Sequence, residues 1–201
     1  MRLMTKIVLE AALDQVASWR AQGTLLTVAV NLSASSLVDA GLPDEVTAML
    51  AARGVPSSAL QLEITEEFLM TDRDRARTIL AQLRRTGIQI AVDDFGTGYS
   101  SLAYLRDLPI DELKLDRSFV LAMDGDPRAV ALVASTIGLA HSLGLRMVAE
   151  GVETEAAYDE LARLGCDQAQ GYWMSRPVPA EELDRWLIRA EAEPADLPAG
   201  R

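Results

Sequence analysis

The feature that most constrains this chain is a regular alternation. Short apolar runs, each closing on a polar residue, give way to stretches with helical periodicity, and the pattern repeats from one end to the other. Met4, Val8, Ala12, Val16 and Trp19 recur at helical spacing, and the pattern stops at Gly23, so the chain opens with a helix. A strand is expected over Leu25–Leu32. A helix then begins at Pro43, with Asp44 and Glu45 in its first turn, and ends at Gly54. The alternation continues with strand Leu60–Ile64, helix Arg73–Arg85, strand Ile88–Val92, a short helix near Ser101–Leu105 and strand Glu112–Leu115. Asp126 and Pro127 cap and start a long helix that stops at Gly144. Strand Leu145–Ala149, helix Glu155–Leu164, a short strand around Ala169–Tyr172 and helix Glu181–Arg189 complete the series. Strands that alternate with helices imply right-handed crossovers and a parallel sheet. Runs such as Val28–Val30 and Ile88–Val92 are nearly all apolar, as strands covered on both faces should be.

Such α/β alternation leaves two architectures. An open doubly wound sheet normally carries a glycine-rich phosphate loop after its first strand, whereas here that strand leads into Asn31-Leu32-Ser33-Ala34-Ser35-Ser36. A (β/α)8 TIM-like barrel fits better, but about six strands do not close a barrel of about eight. The expectation is an incomplete barrel lacking about two N-terminal strands. With 201 residues and 49% apolar content the chain reads as one domain, residues 1–190. The proline-broken residues 191–201 are expected to form a disordered tail. Lys6, Glu10, Asp14 and Arg20 interrupt the opening helix, so no signal-peptide or membrane-spanning stretch is expected, and the cytoplasm is the default location. A formal net charge of -11 argues against DNA, RNA or an anionic membrane surface as partner. Cys166 is the only cysteine; it excludes an intrachain disulfide and reads as a small buried hydrophobe.

In a parallel barrel all strand C-termini lie on one rim. The residues expected there are Asn31, Glu63, Asp93 with Asp94, Lys114 with Asp116, Glu150 and Gln170. Any one alone is more often a helix cap or a solvated loop residue, because Asp and Asn favour such positions. A whole set in register points to chemistry. Asn31, Glu63, Asp93, Asp94 and Glu150 are all-oxygen donors, suited to Mg2+ or Mn2+ rather than to Zn2+. The adjacent carboxylates of Asp93 and Asp94 can serve two ions, whose charge would offset their mutual repulsion. His141, the single histidine, lies within a helix and is assigned a surface or packing role. Without a usable His or Cys nucleophile, metal-activated water is the natural attacking group.

The strings Asn31-Leu32-Ser33, Leu62-Glu63-Ile64-Thr65-Glu66, Asp93-Asp94-Phe95-Gly96-Thr97-Gly98-Tyr99-Ser100-Ser101, Lys114-Leu115-Asp116 and Ala149-Glu150-Gly151-Val152-Glu153-Thr154 are long and evenly spread. Together with Gln170-Gly171-Tyr172 through Arg176-Pro177, they closely resemble the EAL family of cyclic di-GMP phosphodiesterases, from about Leu3 to Leu187. The resemblance implies two-metal hydrolysis of cyclic di-GMP to the linear dinucleotide pGpG. Asn31, Glu63 and Asp93 would ligate one Mg2+ or Mn2+ ion, and Asp93 would bridge to a second held by Asp94 and Glu150. Lys114 would orient the attacking water and the phosphate, so that Lys114, Glu150 and Asp94 form the catalytic set. Asp116, Glu153, Gln170 and Arg176 would be substrate-side or supporting groups. Thr65 and Glu66 would anchor the regulatory loop Phe95, Gly96, Thr97, Gly98, Tyr99, Ser100, Ser101, which in the family couples the site to a homodimer interface. The family's Glu-Ala-Leu motif has no counterpart here: Glu10-Ala11-Ala12-Leu13 lies in the opening helix. The strands that would carry it are expected to precede Met1. The alternative is therefore an impaired module that binds cyclic di-GMP or a partner protein. A sugar-isomerase-like barrel is disfavoured by the absence of histidine ligands.

Overall fold

The structure is a computed structural model that describes residues 3–33, 36–65, 73–98 and 102–192. The chain divides into two compact units, Met1–Leu113 and Lys114–Arg201, where the sequence reads as a single domain. The division falls inside a strand, Glu112–Leu115.

In the first unit, helix α1 (Leu3–Ala21) leads to strand β1 (Val28–Asn31), and helix α2 (Leu42–Ala52) to strand β2 (Leu60–Thr65). Helix α3 (Arg73–Arg85), strand β3 (Gln89–Phe95) and helix α4 (Leu102–Asp107) then lead into β4 (Glu112–Leu115). The strands lie in the sheet in chain order. β1 runs parallel to β2 with Val28 opposite Leu60 and Asn31 opposite Glu63, and β2 runs parallel to β3 with Gln61 opposite Gln89 and Thr65 opposite Asp93. In-register partners share a face, and that separates the side chains cleanly. One face carries Val28, Val30, Leu60, Leu62, Ile64, Ile90 and Val92. The other carries Ala29, Asn31, Gln61, Glu63, Thr65, Gln89, Ala91 and Asp93. The nearly continuous apolar strands expected from the sequence are thus alternating ones, with small and polar groups on one side. Leu9, Leu13 and Val16 of α1, Val46 and Leu50 of α2, and Ile79, Leu80 and Leu83 of α3 are buried with the apolar face.

In the second unit β4 is followed by α5 (Arg117–Ala122), α6 (Pro127–Ser142), β5 (Arg146–Glu150), α7 (Glu155–Arg163), β6 (Gln168–Gln170) and α8 (Ala180–Ala192). β5 and β6 are parallel, with Glu150 opposite Gln170. Val133, Ile137 and Ala140 form the buried stripe of α6. That helix starts as the sequence predicts, with the Asp126 side chain accepting from the Arg128 N–H at 2.8 Å. It ends at Gly144, whose φ of 73° lets Leu145 N–H return to the Ala140 carbonyl.

Several expectations need correction. β1 begins at Val28, not Leu25, because its partner begins at Leu60; Leu25 is 72% exposed. β3 continues past Val92 to Phe95 because Thr65 extends the pairing to Asp93. β6 is Gln168–Gln170 instead of Ala169–Tyr172. Helix α5 was not expected; Asp116 caps it. Helix α8 runs to Ala192, so the expected tail is helical at its start, and 193–201 lie outside the described residues. No helix among the described residues is long and apolar enough to cross a membrane.

Cys166 is half-buried, not a buried hydrophobe, and its Sγ donates to the carbonyls of Gln168 and Met147 at 3.2 and 3.4 Å. Burial pushes its thiol up from the usual range, which suits an unreactive cysteine. His141 takes the helix-surface role expected of it. Its Nε2 donates to Asp167 Oδ2 at 2.8 Å, and the same oxygen accepts the Met147 N–H at 2.8 Å, tying α6 and the start of β5 to the residue before β6. Burial disfavours the charged Asp167 carboxylate, but the Met147 N–H and the His141 hydrogen bond outweigh it and hold the carboxyl below the ordinary value of 3.8. A depressed carboxyl stabilises the fold above its unfolded pKa, and this contribution is lost as pH falls through the folded value. Asp167→Ala should therefore cost about 1 kcal/mol near neutral pH, a figure kept low because this side chain is partly exposed to solvent. Denaturant titrations should show the gap to wild type closing below the ordinary carboxyl value of 3.8. A gap that stays constant into strong acid would rule out the carboxylate as its source.

Candidate metal and phosphodiester site

In the first unit the polar face of the sheet ends in a row of oxygen donors. Asn31 closes β1 directly opposite Glu63, and the Leu32 N–H donates to the Glu63 carbonyl at 2.8 Å, continuing the pairing beyond the strand. Glu63 is 7% exposed, unusual burial for a carboxylate unless partners or a cation compensate. Ala91 is opposite Glu63, so Asp93, next on that side of β3, projects from the same face one step nearer the strand end. Asp94 follows with φ 54°, left-handed backbone that Asp tolerates better than most residues. Its N–H donates to Asp93 Oδ1 at 3.1 Å, and its carbonyl accepts the Thr97 hydroxyl at 2.9 Å. The consequence is a tight reversal in which Phe95 is buried while Gly96, Thr97 and Gly98 are exposed. Thr65 is placed at the end of β2; Glu66, Tyr99, Ser100 and Ser101 lie outside the described residues.

In the second unit Lys114 is buried, 4% exposed, and its Nζ lies 2.7 Å from Glu150 Oε1. A buried ammonium needs such a partner, and this pairing fixes the charge at the end of β4. Glu150 lies opposite Gln170 in register. The pairing outlasts the strands: the Val152 N–H donates to the Gln170 carbonyl at 3.1 Å, and the Trp173 N–H donates to the Val152 carbonyl at 2.9 Å. Gly171 sits so close to the Val152 backbone that a Cβ would collide with its oxygen and nitrogen. Gly151, at φ 69°, presses in the same way against Arg117.

The remaining expected residues are placed differently. Asp116 is occupied as the cap of α5: its Oδ1 accepts the Ser118 N–H at 3.0 Å and the Ser118 hydroxyl. Arg176 stacks over the Tyr172 ring at 4.5 Å to the centroid. Glu153 is exposed and, with Thr154, borders a cavity of about 440 Å³ lined by Val120, Met123, Gly151 and Ala157. The Tyr172 platform and the Ser118 cap were missed at the sequence level. The four-residue spacing of Tyr172 and Arg176 and the Asp116-Arg117-Ser118 string were the available signals.

The described strands build a parallel β/α architecture that carries Glu63, Asp93, Asp94 and Glu150 on β2, β3 and β5. Residues 1–177 match the EAL domain family, and the chain belongs to it. It is 42% identical over 189 residues to the cyclic di-GMP phosphodiesterase PA2567 of Pseudomonas aeruginosa, covering 94% of this chain and 32% of that protein. It is 46% identical over 177 residues to MucR of the same organism, a bifunctional diguanylate cyclase and cyclic di-GMP phosphodiesterase, covering 88% of this chain and 26% of that one. The chain thus spans about a third or less of the length of these curated relatives. Among solved structures, the MucR phosphodiesterase in complex with cyclic di-GMP superposes with a TM-score of 0.85 at 45% identity, over 90% of this chain and 73% of that chain. The EAL domain of Mycobacterium smegmatis DcpA gives 0.86 at 41% identity, over 90% and 82%.

The close approach at Gly171 generates a prediction. Gly171→Ala should destabilise the chain by about 2–3 kcal/mol, because backbone rather than a flexible side chain must give way. Urea unfolding checks it, and a loss under about 0.5 kcal/mol would mean the turn after β6 yields freely.

Proposed function

We propose that this chain carries a phosphodiesterase site for cyclic di-GMP, with two Mg2+ or Mn2+ ions as cofactors and linear pGpG as product. The observation that carries the reading is the register that aligns Asn31, Glu63 and Asp93 on one face of adjacent strands, in a chain of the EAL family whose relatives are named cyclic di-GMP phosphodiesterases. The donor chemistry fits hard divalent ions: Asn31, Glu63 and Asp93 would hold one, and Asp93, Asp94 and Glu150 the other, all through oxygen. Such ions, when bound, lower the pKa of water and polarise phosphoryl oxygens.

The chain's own residues then have definite tasks. A water oxygen forms a bond to phosphorus as the bond from phosphorus to the ribose O3′ breaks, leaving a 3′ hydroxyl and a 5′ phosphate. Lys114 orients the water and offsets charge growing on the phosphoryl oxygens, while Glu150 keeps the ammonium in place. Gln170, Glu153 and Arg176 face the nucleotide, and Asp116 acts through the α5 cap that follows the Lys114 strand. Thr65 and Glu66 anchor the loop Phe95–Ser101, through which a homodimer forms. Residues 1–190 work as one domain in the cytoplasm, and the net charge of -11 keeps DNA and RNA away. The alternative reading is a module that binds cyclic di-GMP or a protein without turnover. Hydrolysis of cyclic di-GMP in Mn2+ or Mg2+ decides between them.

Two substitutions sharpen that assay. Asp93→Asn should lower turnover at least about a hundredfold, since a neutral amide cannot bridge two cations. Near-normal rates in this variant would sink the metal assignment. Lys114→Ala should lower kcat by about a hundredfold while nucleotide affinity changes by less than about fivefold. Equal losses in rate and affinity would reassign Lys114 to simple binding.

A further inference from the structure

Three hydroxyls meet where the first helix passes the end of the first strand. Ser33 Oγ lies 2.9 Å from Ser36 Oγ, Ser36 Oγ donates to Thr5 Oγ1 at 3.2 Å, and Thr5 Oγ1 lies 3.4 Å from Ser33 Oγ. Thr5 and Ser36 are 6% and 0% exposed, so their polar atoms depend on this ring for partners. Each hydroxyl can donate once and accept twice, which lets a triangle satisfy itself without water. A position needing only bulk would be filled by Val or Ala without the desolvation cost. The triangle joins the first turn of α1 to Ser33 and Ser36 beyond the end of β1, where the Ser36 N–H donates to the Ser33 carbonyl at 2.8 Å. Just upstream, Leu32 is buried and pinned to the Glu63 carbonyl, and Asn31 is exposed opposite Glu63.

We propose that Thr5, through Ser33 and Ser36, is a positioning residue that fixes the β1 exit so that the Asn31 carboxamide is held beside Glu63 for a divalent cation. The proposal rests on the reading of Asn31 as a metal ligand. A supporting hydrogen-bond partner behind a ligand typically changes metal affinity by 10–100-fold. Thr5 touches neither metal nor substrate in this scheme and acts only through the turn.

The test is calorimetric titration of Mn2+ into the 201-residue chain, without nucleotide. Thr5→Val keeps the shape and removes the hydroxyl; it should weaken Mn2+ binding about tenfold, and Thr5→Ser should restore it to within about twofold. In an Asn31→Ala background the Thr5→Val change should add no further loss, since the group being positioned is gone. Ser36→Ala, which opens the triangle from its other corner, should reproduce the Thr5→Val effect and serves if Thr5→Val does not unfold cooperatively. Wild-type affinity in Thr5→Val and Ser36→Ala would overturn the proposal, as would an equal loss with and without Asn31. If Asn31→Ala itself binds Mn2+ like wild type, the ligand reading of Asn31 falls first and the positioning role with it.

Discussion

The rest of the first unit depends on strand register. With Val28 opposite Leu60 and Gln61 opposite Gln89, the paired odd-numbered residues of β1, β2 and β3, up to Asp93, turn to one face and the paired even-numbered ones to the other. A slip of one residue would send Leu62 and Ile64 to the polar face and bury Glu63 among the helices, exchanging a packed core for unpaired polar groups. The apolar side chains on α1, α2 and α3 therefore hold more than stability. By making one face of the sheet unconditionally the core, they make the other the only place where Asn31, Glu63 and Asp93 can appear. The polar face is also satisfied at the strand starts, where Gln61 Nε2 donates to the buried Glu112 at 2.8 Å. No buried side-chain nitrogen or oxygen among the described residues lacks a hydrogen bond.

The same logic governs Lys114 in the second unit. A buried lysine needs a partner for its charge, and Glu150 Oε1 lies 2.7 Å from its Nζ. Glu150 in turn is fixed by its place opposite Gln170 and by the backbone ladder through Val152, which only glycine at 171 permits. The Lys114–Glu150 pair thus rests on backbone contacts just beyond the ends of β5 and β6.

The sequence makes some of this legible and hides the rest for identifiable reasons. Alternating strand and helix signals found the six strands and most helices among the described residues, because Gly23, Gly144 and the Asp126-Pro127 pair carry strong local stop and start chemistry. The polar strand ends were legible because an apolar run ending in Asn, Glu or Asp is a local pattern. Strand ends moved because they depend on where the partner stops: Leu25 has strand-like neighbours but lies before the residue opposite the start of β2. The capping bond of Asp116 was hidden for a complementary reason: one carboxylate can cap a helix or serve a site, and the sequence alone does not show that Ser118 donates to it. The hydroxyl triangle was invisible because Thr5 and Ser36 are distant in sequence, and each alone is an unremarkable polar residue.

Charge sets the last constraint on the proposed chemistry. Cyclic di-GMP carries phosphodiester anions, and the chain that would receive it bears a net charge of -11, with Glu63, Asp93, Asp94 and Glu150 all at strand ends. Lys114 is the buried cation among the described residues, and it is paired with Glu150. A site so composed repels its substrate until positive charge is added. The carboxylates therefore do two jobs in sequence on the proposed reading: they gather divalent ions from solution, and the neutralised face then admits the nucleotide.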